Sequence, residues 1–187
     1  MSTEADYTPA DLIEDAMKIL ERVGPGEEGF KAIGELLQRL GRQPGLLSEG
    51  RMAGLHGSAA TATILAEDAS GHVLMLARFP SEAPTPVHNH GSWGVAHVVK
   101  GHDRYSRWER LDDGSDPAKA KLRLAETLEL GPGDTIHFGE PPDDIHAQQG
   151  IDDAAWELVL FGRNPNARPR AYFDPETGYV TYADAAR

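Results

Sequence analysis

Beyond Gly54 the chain breaks into short β-type runs: Thr61 to Leu65, His72 to Phe79, Trp93 to Lys100, Arg104 to Arg110, Leu122 to Leu130, Thr135 to Phe138, Ile145 to Gln148 and Trp156 to Phe161. They are rich in β-branched and aromatic residues, and no helical stretch separates them. Parallel pairing needs long crossovers, so strands that follow one another this closely pair antiparallel. The breaks carry turn chemistry, as in Ala69-Ser70-Gly71, Asp112-Asp113-Gly114-Ser115 and Gly131-Pro132-Gly133-Asp134. A mainly β fold follows, an antiparallel barrel or sandwich.

The first quarter of the chain differs. Leu12, Ile13, Ala16, Ile19 and Leu20, then Phe30, Ile33, Leu36, Leu37 and Leu40, recur at helical spacing and predict two amphipathic helices between Pro9 and about Leu47. Thr8 fits an N-cap with Pro9 at the first helical position, and Gly24-Pro25-Gly26 separates the helices. The expected organisation is a helical segment over 1–53 packed on a barrel over 54–187, one structural unit in all. The tail beyond Asn164, with Pro165, Pro169 and Pro175, is expected to run over the barrel as loop and short extended pieces.

Composition limits the chemistry. The chain has no cysteine, which excludes disulfides, thiol nucleophiles and zinc-cysteine sites and leaves histidine and carboxylate as the strong metal ligands. A net charge of −12 repels nucleic acid and anionic membrane surfaces, so small molecules or proteins are the expected partners. The apolar runs are too short to span a bilayer, and Met1 to Ala10 is acidic and polar, unlike a signal peptide. A cytoplasmic location is expected.

The ligand chemistry gathers in Pro86-Val87-His88-Asn89-His90-Gly91-Ser92-Trp93-Gly94. On a strand alternate side chains share a face, so His88 and His90 would point together and Asn89 away. A third ligand is found in His146, at the start of a later apolar run behind the loop from Gly139 to Asp144. If that strand lies beside the first, the three imidazoles make a facial metal site with open positions. Three neutral imidazoles suit iron, nickel, zinc, copper and manganese to varying degrees.

His88-Asn89-His90, Gly101, Gly131-Pro132-Gly133-Asp134 and His146 together resemble the two motifs of the cupin superfamily, over about Val73 to Gly162. The resemblance implies a double-stranded β-helix, the cupin or jelly-roll barrel. Cupins usually add a glutamate four or five residues after the second histidine, and this chain has Gly94 and Val95 there. A three-histidine set without that glutamate, in the phrase His-Asn-His-Gly-Ser-Trp-Gly-Val, is similar to the thiol dioxygenases, the cysteine dioxygenase family and its mercaptopropionate-oxidising relatives. That resemblance implies non-haem iron(II), Fe(2+), with a small thiol acid and dioxygen as reactants and a sulfinic acid as product. The family's Ser-His-Tyr set is replaced here by Glu157-Leu158-Val159-Leu160-Phe161, and its substrate arginine is missing from Thr61 to Ile64.

Other residues complete the candidate list. Arg78, Arg104, Arg107 and Arg163 are candidate carboxylate anchors, each competing with a solvated role on a strand face or in a loop. Trp93, Tyr105 and Trp108 are either pocket walls or plain core. His137 is either a cavity residue or a satisfied barrel histidine, and Phe161 stands where the family has a phenol. His97 falls on the opposite face from the ligands, and His56, His72 and His102 read as surface. Asp143, Asp144 and Glu140 sit at the mouth or cap its loop. Three function classes stay open: an iron dioxygenase of a small thiol acid, a metal cupin of another reaction type such as an isomerase or lyase, and a ligand-binding cupin without catalysis. Pairing through barrel edges would give a homodimer, unless the helices cover those edges.

Overall fold

The computed structural model describes residues 7–47, 52–55 and 57–183; His56 lies outside them. Two helices, α1 (Pro9–Val23) and α2 (Glu27–Gly41), precede ten strands, β1 (Ala53–Gly54), β2 (Thr61–Glu67), β3 (Val73–Phe79), β4 (Val87–His88), β5 (Gly94–Arg110), β6 (Leu122–Leu130), β7 (Thr135–Phe138), β8 (His146–Phe161), β9 (Arg170–Phe173) and β10 (Val180–Ala183).

The capping reading holds: Thr8 accepts from the Asp11 N–H, Asp11 accepts from the Thr8 N–H, and Pro9 opens α1. The chain leaves α1 through Gly24 at φ 77°, a left-handed value that favours glycine. Leu12, Ile13 and Ala16 of α1 and Phe30, Ile33, Leu37 and Leu40 of α2 are buried, and they pack with Leu74, Leu76, Val95, Trp156, Leu158 and Leu160 of the sheet. The helices therefore cover one outer face of the barrel.

All strand pairings between these elements are antiparallel, in one sheet that runs β1-β2-β3-β8-β4-β9-β10, with β5 joined to β6, β7 and β8. The sheet curls because β5 and β8 each serve both halves. Gly94 to Val98 pairs with Phe161 to Glu157, and His102 to Arg107 pairs with Ile151 to His146. The register slips between Val98 and His102, where Gly101 sits at φ 76° and a Cβ would collide with the Ala154 carbonyl oxygen. Opposite, Asp152 and Asp153 are pushed out to solvent. The sequence reads these long strands as four short ones, because the bend interrupts the alternation. Alternation still sorts β3: Val73 and Met75 turn to the barrel interior with Ala96, Val98, Tyr105, Phe138, Val159 and Phe161, while Leu74 and Leu76 face the helices. The fold is mainly β, a curled antiparallel sheet with N-terminal helices packed on it. The short extended pieces expected in the tail are β9 and β10, which form a hairpin on the sheet edge, with Val87 paired to Phe173 and His88 to Tyr172.

Candidate metal centre

His88 ends β4 and His146 opens β8, and the two are cross-strand partners in register. His90 reaches them differently from the sequence expectation. The strand ends at His88, so His90 stands in the loop that follows, and alternation alone does not set its direction. The loop is held by Asp144, whose carboxylate accepts from the N–H groups of His90 (3.0 Å) and Gly91 (2.6 Å). Asn89 pins the other side, exchanging two hydrogen bonds with the backbone of Ala171 in β9. Arg163 donates to the Gly91 carbonyl at 2.8 and 3.0 Å and pairs with Glu140.

One ring nitrogen from each of His88, His90 and His146 lies within 4.8 Å of the others. His88 Nδ1 lies 2.8 Å from the Pro86 carbonyl, an acceptor only, so this nitrogen carries the proton and Nε2 keeps its lone pair. His146 Nδ1 lies 3.0 Å from the Tyr105 hydroxyl. His90 Nε2 faces His146 Nε2 at 3.0 Å, against the rings of Phe138 and Phe161. Burial, and then the charge of Arg170, hold His88 down at about 3. Burial likewise holds His90 and His146 well below their ordinary range. Three neutral imidazoles with nitrogens converging in an apolar chamber fit a divalent metal ion, which their lone pairs can hold when each ring carries its proton on the other nitrogen.

Phe138 explains the missing glutamate in physical terms. A Cβ at Gly94 would collide with Cζ at the edge of the Phe138 ring, which packs edge-on against His146 and stacks on His90. An aromatic wall stands where a fourth ligand's side chain would start.

The cavity in front of the histidines is lined by Ala62, Met75, Ala77, Val159 and Phe161, with Tyr105, Gln148, Asn166 and Arg170 as its polar members. Of the residues singled out in the sequence, Tyr105 and Phe161 do line it. Arg78, Trp93, His137 and Arg163 do not. Arg78 follows Ala77 on β3, so the pleat turns it outward, over Trp156. Trp93 packs on Phe30 of α2, as does the exposed His137, and Arg163 braces the His90 loop from outside. Arg104 and Arg107 pair with Glu129 and Glu126 on the surface. His97 is buried away from the cavity, with Nδ1 3.0 Å from Thr135. Asp144 is a loop brace, as one of its two sequence readings held.

Sequence reading missed Arg170 and Gln148. Gln148 was recoverable, because it lies two positions past His146 on the same strand face. Arg170 was not, since β9 gave no strand signal in the proline-bearing tail. It is part-buried, and among the described residues its hydrogen bond is to Tyr172 and none is to an acid.

No family model and no curated protein matches the chain. Solved structures do. KdgF from Halomonas sp. is similar over 62% of this chain and 90% of its own, at 16% identity and a TM-score of 0.44. A cupin superfamily protein from Desulfitobacterium hafniense is similar over 58% and 82%, at 14% identity and a TM-score of 0.40. An oxalate oxidase is similar over 60% of this chain and 56% of its own, at 19% identity and a TM-score of 0.45. These are likenesses of the barrel only.

Proposed function

We propose that this chain is a metal-dependent cupin enzyme in which His88, His90 and His146 hold iron(II) and a small thiol-bearing acid is oxidised with dioxygen. The observation that carries the reading is the convergence of three neutral imidazoles, two buried and one part-buried, with Phe138 against the Cβ position of Gly94. Bound there, the metal supplies a Lewis-acid and redox centre with positions left open for reactants.

The chain's own residues do the rest. Tyr105, whose phenol burial pushes up, stays protonated and fixes the His146 ring through Nδ1. Met75, Val159 and Phe161 keep the chamber apolar and water-poor. Arg170 places a cation at the cavity wall without a described acid to neutralise it, and a guanidinium grips a carboxylate at two points, so the substrate is read as an acid.

Dioxygen uptake by the iron-loaded protein across cysteine, mercaptopropionate, cysteamine and non-thiol acids tests this. The expected result is uptake with at least one thiol acid and none with cysteamine, which has no carboxylate for Arg170. A flat response to every thiol contradicts the reaction class.

A further inference from the structure

Beneath the cavity lies a polar cluster that metal binding does not use. Asp103 and Glu157 are fully buried, and Gln148, which lines the cavity, stands over them. The Gln148 carboxamide nitrogen donates to Asp103 Oδ2 at 3.2 Å and to Glu157 Oε2 at 2.8 Å. Both N–H groups of the amide are thereby spent on the acid pair. The backbone at Gln148 is fixed as well, since its N–H donates to Thr85 Oγ1 and its carbonyl accepts from the Thr85 N–H. Asp103 is held in turn by the Gln149 N–H at 3.1 Å. Two buried acids this close are costly in an otherwise apolar barrel, and removing a partner from such a cluster leaves charge or polar atoms stranded. A carboxamide is planar, with oxygen and nitrogen on opposite branches. With its nitrogen turned down onto the acids, the oxygen of a residue that lines the cavity is turned up into it.

We propose that Asp103 and Glu157 clamp Gln148 so that its carbonyl oxygen is a fixed acceptor in the cavity, selecting acids that carry a hydrogen-bond donor such as a hydroxyl or an amine. The inference rests on the acid-binding reading of Arg170: the guanidinium takes the carboxylate, and Gln148 reads what else the molecule bears. Asp103 and Glu157 are positioning residues, acting only through the amide. A site built to accept from a donor discriminates against the analogue that lacks it, because the acceptor is then desolvated without a partner.

The test is calorimetric titration of the zinc-loaded protein with matched probes, acetate against glycolate and propionate against 3-hydroxypropionate. In the unaltered protein at least one hydroxy acid should bind about tenfold more tightly than its partner, the scale of one such hydrogen bond. Gln148→Leu should abolish the preference while leaving zinc content unchanged. Glu157→Leu should do the same by freeing the amide to turn, and Gln148→Asn, which draws the oxygen back while keeping the amide, covers the case in which a leucine variant fails to fold. Arg170→Ala should weaken both members of each pair alike. Equal binding of the matched probes, or a preference that survives in Gln148→Leu or Gln148→Asn, overturns the inference and leaves the Arg170 reading standing. Absence of any acid binding, or binding indifferent to Arg170→Ala, overturns the acid-binding reading and takes the inference with it.

Discussion

At the scale of single residues the site is a matter of tautomers and near contacts. The Pro86 carbonyl sets which His88 nitrogen carries the proton, and the Tyr105 hydroxyl sets the ring of His146. Partners of this kind are worth about 10–100-fold in metal affinity. Tyr105→Phe should therefore weaken metal binding within that range, read by competition with a chelator, while the barrel stays folded. Unchanged affinity would show that the phenol is packing only. The three histidines that converge were legible in the sequence as a candidate set because histidines two apart and a later partner form a pattern. Phe138 was not, because only the curl of the sheet carries its ring to the vacant Cβ position of Gly94.

At the scale of elements, the loop after β4 is where placement of the site is decided. His90 has no strand to orient it, and Asp144 substitutes by taking two backbone N–H groups across to the start of β8. Asp144→Ala leaves those two part-buried donors without their acceptor, at up to about 1–3 kcal/mol each before any rescue by water. The expected result is a lowered urea midpoint together with metal binding weakened more than stability alone explains. A loss of stability with metal affinity intact would remove the loop from the account. Helices α1 and α2 were legible nearly residue by residue, since amphipathic spacing and a capping box are local signals. Strands β5 and β8 were legible as runs but not as continuous strands, because the corner at Gly101 and the bulge at Asp152 break the period. As a hairpin, β9–β10 was invisible for a different reason: its pairing is set by β4 and not by its own composition. With it went Arg170, the one cation on the cavity wall among the described residues.

At the scale of the whole molecule, an acidic chain of net charge −12 carries two of its acids, Asp103 and Glu157, inside its barrel. Burial pushes Asp103 up to about 7, and burial with the Asp103 charge pushes Glu157 well up. Between an ordinary acid value near 4 and about 7 the folded pair holds protons that the unfolded chain has released, so its contribution to stability is fully present below that window and is lost as pH rises through it. Glu157→Gln removes one of these titrations. The melting temperature of the unaltered protein should drop more than that of the variant between pH 4.5 and pH 7.5. Parallel profiles would mean that the pair ionises normally. No helix among the described residues is long and apolar enough to cross a membrane. The cavity is lined mostly by apolar side chains, and the account depends most on what its three histidines hold. Elemental analysis of the purified protein beside its His90→Ala variant tests that directly: about one divalent metal ion per chain in the first and almost none in the second is the predicted result, whereas metal content unchanged by the substitution would contradict it.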